Sequence, residues 1–382
     1  MNTEIVEQLE MSMRRRTAAL PSGLRPFTLE DRRLPRGLVL TGQRGVGKTT
    51  FLLHHLRGGN ILYASADNPL LADVPLYDLA HDVFLRGYGG IAIDEVHYSR
   101  DWSLNVKAVY DDYPDRSVWI SDSSSLVLRS GTADLSRRFV PLTMPLLSFR
   151  EYLELRTGDA YPVFDPTRGV PVSASPKILS LYHEYRRHGT RPFYVEESYA
   201  ERMLAILEKT LQADVPFFVA QITDTNIRLM NAVVATLAQA PVPRLQVRSL
   251  CADWGVGAEK LYQLLFVMES VGVVRIIRKP NDSKAGTVGE KLLFGDPTLY
   301  DVLGGNVGSA REALFVAMLQ ESGRRVEAST DERSADFVLD GGRTVEIGGR
   351  RKERKGADLV VRDDVDVPTG SSLPLWSFGF LY

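Results

Sequence analysis

The run Gly42-Gln43-Arg44-Gly45-Val46-Gly47-Lys48-Thr49 constrains this chain more than any other stretch. It fits G-x-x-x-x-G-K-[ST], with Thr50 continuing it. An apolar segment, Gly37–Thr41, precedes it, and a helical pattern over Thr49–Leu56 follows, so strand, loop and helix are expected in that order. The glycines allow backbone angles that turn amide N–H groups inward, and the helix N-terminus adds positive potential. Such a loop cradles a β-phosphate. Lys48 can neutralise the β- and γ-phosphates, and the Thr49 hydroxyl can ligate Mg²⁺. Gly42, Gln43, Arg44, Gly45, Val46, Gly47, Lys48, Thr49 and Thr50 are therefore the expected nucleotide contacts.

A second segment completes that chemistry. Ile91-Ala92-Ile93 is an apolar strand ending in Asp94-Glu95, which sets two carboxylates at the carboxyl edge of a parallel sheet. Asp94 is expected to hold Mg²⁺, and Glu95 to polarise the attacking water as general base. A third strand, Val118-Trp119-Ile120, ends in Ser121-Asp122-Ser123-Ser124. Ser121 and Ser123 can sense a γ-phosphate and orient water, or can cap a following helix. ATP and Mg²⁺ are the expected cofactors, and hydrolysis the expected reaction.

The first half alternates short β-branched runs with helical patterns, as a parallel α/β sheet does. Strands are predicted at Gly37–Thr41, Ile61–Ser65, Ile91–Asp94, Val118–Ser121 and Phe139–Met144, and helices at Thr49–Leu56, Leu76–Leu85 and Trp102–Tyr110. The segment around 156–176 shifts to Gly, Pro, Thr and Ser and reads as a boundary loop. Residues 177–271 become helical in pattern. At 382 residues the chain has room for two or three domains, and its single cysteine, Cys251, excludes a disulfide framework and a cysteine-based zinc site. No apolar run approaches the ~18 residues that span a bilayer, and the first residues carry no apolar leader, so no membrane association and a cytoplasmic location are expected.

Charge is uneven along the chain. Of 46 cations, 36 are Arg and 10 are Lys, against 48 acids. Residues 1–50 carry nine cations to five acids, whereas residues 65–115 carry three to ten. Residues 241–295 carry eight to five, and residues 343–355 six to two. Arginine suits bidentate contacts to phosphate or carboxylate. GC-rich coding favours arginine too, so the excess alone does not point to nucleic acid.

These motifs together resemble bacterial and archaeal AAA+ ATPases in which a P-loop domain is followed by a winged-helix region and a nuclease-like C-terminal domain. The matching residues are Thr41–Thr50, Ile93-Asp94-Glu95-Val96-His97, Ser121–Ser125, Leu135-Ser136-Arg137-Arg138-Phe139 and Leu147-Ser148-Phe149-Arg150-Glu151-Tyr152-Leu153. The last resembles that family's L-S-F-x-E signature. The likeness continues through a Gly189–Phe193 turn and Asp214-Val215-Pro216. It implies an α/β AAA+ domain with a parallel sheet at 1–155, a linker at 156–176, a helical winged-helix domain at 177–305 and a small α+β nuclease-like domain at 306–382. It also implies a homo-oligomeric ring with nucleotide at subunit interfaces. The family commonly has Gly-Arg where this chain has Arg137-Arg138. Counted back from Ser148-Phe149, Arg138 aligns with the family arginine, which makes it the expected finger for a neighbouring subunit's site.

Residues 245–256 and 257–271 read as a helix-turn-helix, with Leu261, Leu264, Leu265 and Met268 inward. Val273–Arg278, a turn over Lys279–Lys284 and Lys291–Phe294 then make a wing. Such a module docks a helix in the major groove of DNA or docks a protein. Arg248, Lys260, Arg275, Arg278, Lys279 and Lys284 are the expected phosphate contacts, and DNA is the expected partner. Further on, Glu312 on a helix, Asp336 before a strand and Glu346 on the next strand are similar to the PD-(D/E)xK nuclease arrangement, in which two acids hold Mg²⁺ and a lysine assists water. The lysine's position holds Gly348, and Lys352 or Lys355 could replace it only by migrating. A degenerate domain with a DNA-binding or structural role is expected. The whole reads as an ATPase coupled to DNA remodelling, with a nucleotide-dependent protein-interaction switch and an ATP-regulated nuclease as alternatives.

Overall fold

Five strands, Gly37–Thr41 (β1), Ile61–Ser65 (β2), Gly90–Asp94 (β3), Ser117–Asp122 (β4) and Val140–Thr143 (β5), form one sheet in the order β2-β3-β4-β1-β5. Every pairing in it is parallel. Parallel strands are covered on both faces, and β1 and β3 are buried along their whole length. That is why they read as unbroken apolar runs. The edge strand β5 is mostly exposed and begins one residue later than predicted. Helices Thr3–Ala18 (α1), Lys48–His55 (α2), Leu76–Leu85 (α3) and Trp102–Asp112 (α4) complete this part. The sequence reading missed α1, which is arginine-rich and contributes Val6 and Leu9 to the core.

The computed structural model describes residues 3–123, 135–169, 172–218, 222–241, 247–280, 291–331, 333–352 and 354–382. Ser124, Ser125, Leu245, Gln246, the Arg248 side chain, Asn281–Lys284 and Glu353 lie outside what is described. Two compact units divide the chain, Met1–Pro145 and Leu146–Tyr382. The first holds the sheet above. Among the described residues no helix is long and apolar enough to cross a membrane.

In the second unit, Phe149–Thr157 (α5) opens with a capping box. Ser148 Oγ accepts from Glu151 N at 3.1 Å, and Glu151 Oε2 accepts from Ser148 N at 3.3 Å. The L-S-F-x-E signature is thus a helix start. It also packs closely: a Cβ on Gly379 would collide with Phe149 Cβ. Gly158 ends the helix at φ 77°. Helices Pro176–His188 (α6), Tyr199–Lys209 (α7), Asp224–Gln239 (α8), Val247–Trp254 (α9) and Ala258–Ser270 (α10) follow. Then come the antiparallel pair Val274–Ile277 (β6) and Lys291–Phe294 (β7), and helix Val307–Glu321 (α11). Leu261, Leu264, Leu265 and Met268 of α10 are buried, as their spacing predicts. Five strands, Val326–Ala328 (β8), Phe337–Leu339 (β9), Thr344–Gly348 (β10), Leu359–Arg362 (β11) and Ser372–Pro374 (β12), form the last sheet. It is antiparallel through β8-β9-β10 and parallel through β10-β11-β12.

One buried polar cluster ties this unit together. Asp296 accepts from Arg191 Nε at 2.7 Å, from Thr190 Oγ1 at 2.8 Å and from the backbone N and Oγ1 of Thr298 at 3.0 and 2.7 Å. The Gly189–Phe193 turn is therefore pinned to the end of β7. Arg191 and Asp296 are both almost fully buried. Removing one member of such a pair strands the other charge, so Asp296→Ala should cost about 3–5 kcal/mol in urea unfolding of the full chain. A loss below about 1 kcal/mol would mean that water replaces the carboxylate at that turn.

Candidate functional site

The phosphate loop follows from its glycines. Gly45 and Gly47 sit at φ 85° and 108°, left-handed angles that a side chain would strain, and Gly47 leads directly into α2. The loop is braced from beneath by a residue the sequence reading did not single out. Arg25 is buried and donates Nη1 to the carbonyls of Val46 (3.0 Å) and Pro145 (2.9 Å). Only the tertiary fold brings those three residues together. Gly42 abuts Met144, whose carbonyl O would be 2.5 Å from a Cβ there. Gln43, Arg44 and Thr50 are partly exposed, and Val46 is fully buried.

Lys48 opens α2 and is 5% exposed. Its ammonium donates to Gly42 O at 2.9 Å and Gln43 O at 3.4 Å, so it lies along the loop. Burial lowers its pKa, against the attraction of Glu95 and Asp94.

Asp94 ends β3 at the sheet's carboxyl edge and is 2% exposed. Its Oδ2 accepts from Thr49 Oγ1 (2.6 Å) and Tyr63 Oη (2.8 Å). Its Oδ1 accepts from the Glu95 backbone N (3.1 Å) and from Ser121 Oγ. Two neighbouring strands and the first turn of α2 thus converge on one carboxylate. The Tyr63 hydroxyl is pushed far above its ordinary range by burial and by Asp94, so it remains a donor. A hydroxyl and a carboxylate this close form a hard oxygen donor set suited to Mg²⁺.

Glu95 adopts φ 50°, ψ 50°, the left-handed region, which costs a non-glycine residue about 1 kcal/mol or more. Its carboxylate accepts from Ser123 Oγ at 3.2 Å and lies 3.9 Å from Arg44 Nη1. Burial raises its pKa, with Lys48 opposing. Ser121 and Ser123 therefore each hold one of the two acids. Their neighbour Asp122, which the sequence reading named only within that run, holds His97 (Nδ1···Oδ2 2.6 Å).

Arg138 is elsewhere. Its carbonyl lies beside Gly37, at the start of β1, while the phosphate loop leaves the other end of that five-residue strand, about 13 Å away. Its guanidinium pairs with Asp111 through Nε (2.6 Å) and Nη2 (2.7 Å). It takes no part in the Lys48–Asp94–Glu95 cluster.

The second unit differs from expectation at two places. Arg275 is turned inward, paired with Glu321 and donating to Gln320 at 3.0 Å. Arg278 lies 3.3 Å from Glu269. Lys260 reaches Gln263 at 3.4 Å, and Lys279 is half-buried. Arg275 and Arg278 thus both pair with acids of their own unit. In the Glu312–Asp336–Glu346 group, Lys352 stands beside two of the acids. Lys352 lays its side chain over Gly348, its Cβ and Cγ both 2.5 Å from where a Cβ would stand. Its ammonium reaches Glu346 at 2.6 Å and Asp336 at 3.3 Å. Lys355 reaches Glu346 at 3.2 Å, and Lys291 reaches Glu312 at 2.7 Å. Burial raises the Glu346 carboxyl, whereas at Asp336 burial is outweighed by Lys291, the Ile347 N–H, Glu346 and Lys352 together, which hold it low.

Residues 35–153 match the family model described as AAA domain. An uncharacterized protein of Methanocaldococcus jannaschii is 28% identical over 211 residues, which is 47% of this chain and 43% of that protein, so the chain spans less than half of its length. Among solved structures, a Walker-type ATPase of Pyrococcus abyssi is similar at 13% identity and TM-score 0.44, over 70% of this chain and 91% of that one. A variant of Thermotoga maritima RuvB is similar at 15% identity and TM-score 0.32, over 73% and 90%. The Aeropyrum pernix Orc1 protein, in complex with DNA, is similar at 15% identity and TM-score 0.34, over 77% and 91%. The chain carries an AAA-type P-loop ATPase domain, and that match supports ATPase activity.

Proposed function

We propose that this protein hydrolyses ATP with Mg²⁺ and couples turnover to DNA. The observation that carries the catalytic half is the convergence of Thr49, Tyr63, Ser121 and the Glu95 backbone N–H on Asp94 at one sheet edge. The amides of residues 43–49 bind the phosphates, and Lys48 swings from the loop carbonyls to the β- and γ-phosphates. Thr49 and Asp94 would hold Mg²⁺, which neutralises charge developing between those phosphates. Glu95 takes the proton from the attacking water, oriented with Ser123. Arg138 cannot reach its own site, so a finger role belongs to a neighbouring subunit in a ring. For that, it must leave Asp111.

Lys48→Ala should abolish nucleotide binding, and Glu95→Gln should keep ATP bound while turnover falls by at least about 100-fold. Normal turnover in Glu95→Gln would put the base elsewhere. Arg138→Ala should be inactive alone and recover when mixed with Lys48→Ala protein. Without recovery, the trans role is excluded.

The DNA half rests on the helix pair α9–α10 followed by β6–β7, and on the cations about them. Duplex DNA should stimulate the ATPase, and binding should weaken steeply between about 50 and 200 mM salt, as phosphate contacts do. Unchanged turnover with no salt-sensitive binding would leave the protein-interaction switch instead.

A second reading, an ATP-regulated nuclease, is favoured by Lys352. Asp336 and Glu346 would hold a divalent cation, which supplies a polarised water, and the Lys352 ammonium stands beside both acids. Mg²⁺- or Mn²⁺-dependent DNA cleavage should fall about 100-fold or more in Lys352→Ala while ATP turnover is kept. No cleavage by the unaltered chain would leave the group as a structural ion cluster.

A further inference from the structure

The end of β4 does more than present two serines. Ser121, Asp122 and Ser123 are consecutive, and each holds a different residue of the Asp94–His97 segment: Ser121 holds Asp94, Asp122 holds His97 and Ser123 holds Glu95. The Asp122 contact is double. Its Oδ2 accepts from the His97 backbone N at 3.2 Å and lies 2.6 Å from His97 Nδ1. Asp122 is fully buried, and the His97 side chain is 3% exposed. A buried carboxylate accepts only, so Nδ1 carries the proton. The ring is held further by Tyr98, whose centroid is 4.3 Å away.

His97 ends up against Glu95. Its Nδ1 lies 3.8 Å from Glu95 Oε2, on the carboxylate oxygen that also accepts from Ser123. Residues 96–98 form a single 3₁₀ turn, and Glu95 enters it in the left-handed conformation. A lone turn cannot hold a strained residue by itself; the strain persists only where surroundings over-determine it. Asp122 supplies that determination by gripping the turn through both backbone and ring. The fixed direction of the Glu95 carboxylate therefore depends on a residue that does not touch it.

We propose that His97, locked by Asp122, is the positioning residue that aims the Glu95 carboxylate at the attacking water. This rests on Glu95 being the base, as argued above. The pair acts on the chemical step and not on nucleotide binding, because neither residue belongs to the phosphate loop. His97→Ala removes the ring half of the grip on the turn and leaves only the backbone N–H bond, while His97→Asn keeps a nitrogen donor near the Nδ1 position. Asp122→Asn keeps an acceptor of similar shape and removes the charge.

The test uses the full chain, with ATP turnover and binding of a fluorescent ADP measured on each variant, and thermal unfolding as a check that each folds. His97→Ala should lower kcat by about 100-fold, the cost of a misplaced catalytic group, with the ADP Kd changed by less than about threefold. His97→Asn should recover most of the loss, and Asp122→Asn should fall between the two. In single turnover, adding His97→Ala to Glu95→Gln should cause no further loss, because both act through one carboxylate. Unchanged kcat in His97→Ala overturns the proposal, as does an equal loss of ADP binding or an additive loss in the double variant. An unaltered chain that binds ADP yet never turns ATP over overturns the ATPase reading and the role of His97 with it. A chain that turns over with or without His97 overturns only the latter.

Discussion

The acceptance of four hydrogen bonds by Asp94 is the contact on which the site depends. Its donors come from α2 (Thr49), β2 (Tyr63), β4 (Ser121) and its own successor (Glu95). Each bond to a charged acceptor contributes about 1.5–3 kcal/mol, and none can be given up without leaving a buried carboxylate short of partners. The parallel order β2-β3-β4-β1 makes this possible, because it lines up the strand ends at a single edge. The sheet thus sets Asp94, Glu95 and the Gly42–Thr49 loop at fixed separations. Fixed dipoles and charges of that kind are the main means by which an enzyme stabilises developing charge.

The same edge shows how a site is supported from a distance. Arg25 ties the loop carbonyl of Val46 to that of Pro145, and Asp122 holds the turn that carries Glu95. Arg25 belongs to no recognisable motif, and Asp122 is the one acid of the Ser121–Ser125 run. Both are buried charged groups whose cost is offset by several hydrogen bonds each. The Asp296 cluster performs a similar task in the second unit, where a polar turn is fastened to a strand end. In each case a buried ionic group fixes the position of a loop or turn.

The sequence made the first sheet legible almost residue by residue. Buried parallel strands must be apolar throughout, so Gly37–Thr41 and Ile61–Ser65 stand out and both ends of each agree with the structure. The fixed spacing within Gly42–Thr49 made the phosphate loop equally plain. Less was legible where periodicity is weak. The arginine-rich α1 buries only a narrow apolar stripe, so its pattern resembles a solvated segment. Arg275 carried the wrong message as well: a cation in a basic stretch suggested phosphate, but Glu321, 46 residues away, neutralises it.

What the sequence alone determined is therefore the local chemistry: a glycine-rich loop before a helix, two acids after an apolar strand and a serine pair after another. Local geometry dictates these, since glycine angles and strand alternation act over a few residues. The tertiary structure decided which distant side chains meet. It brought Tyr63 and Ser121 to Asp94, separated Arg138 from its own phosphate loop by the length of a strand and delivered Lys352 to the gap above Gly348. Such meetings depend on strand order and on where a long side chain finds room. A glycine four residues before a lysine says nothing of that until the chain has turned back over it.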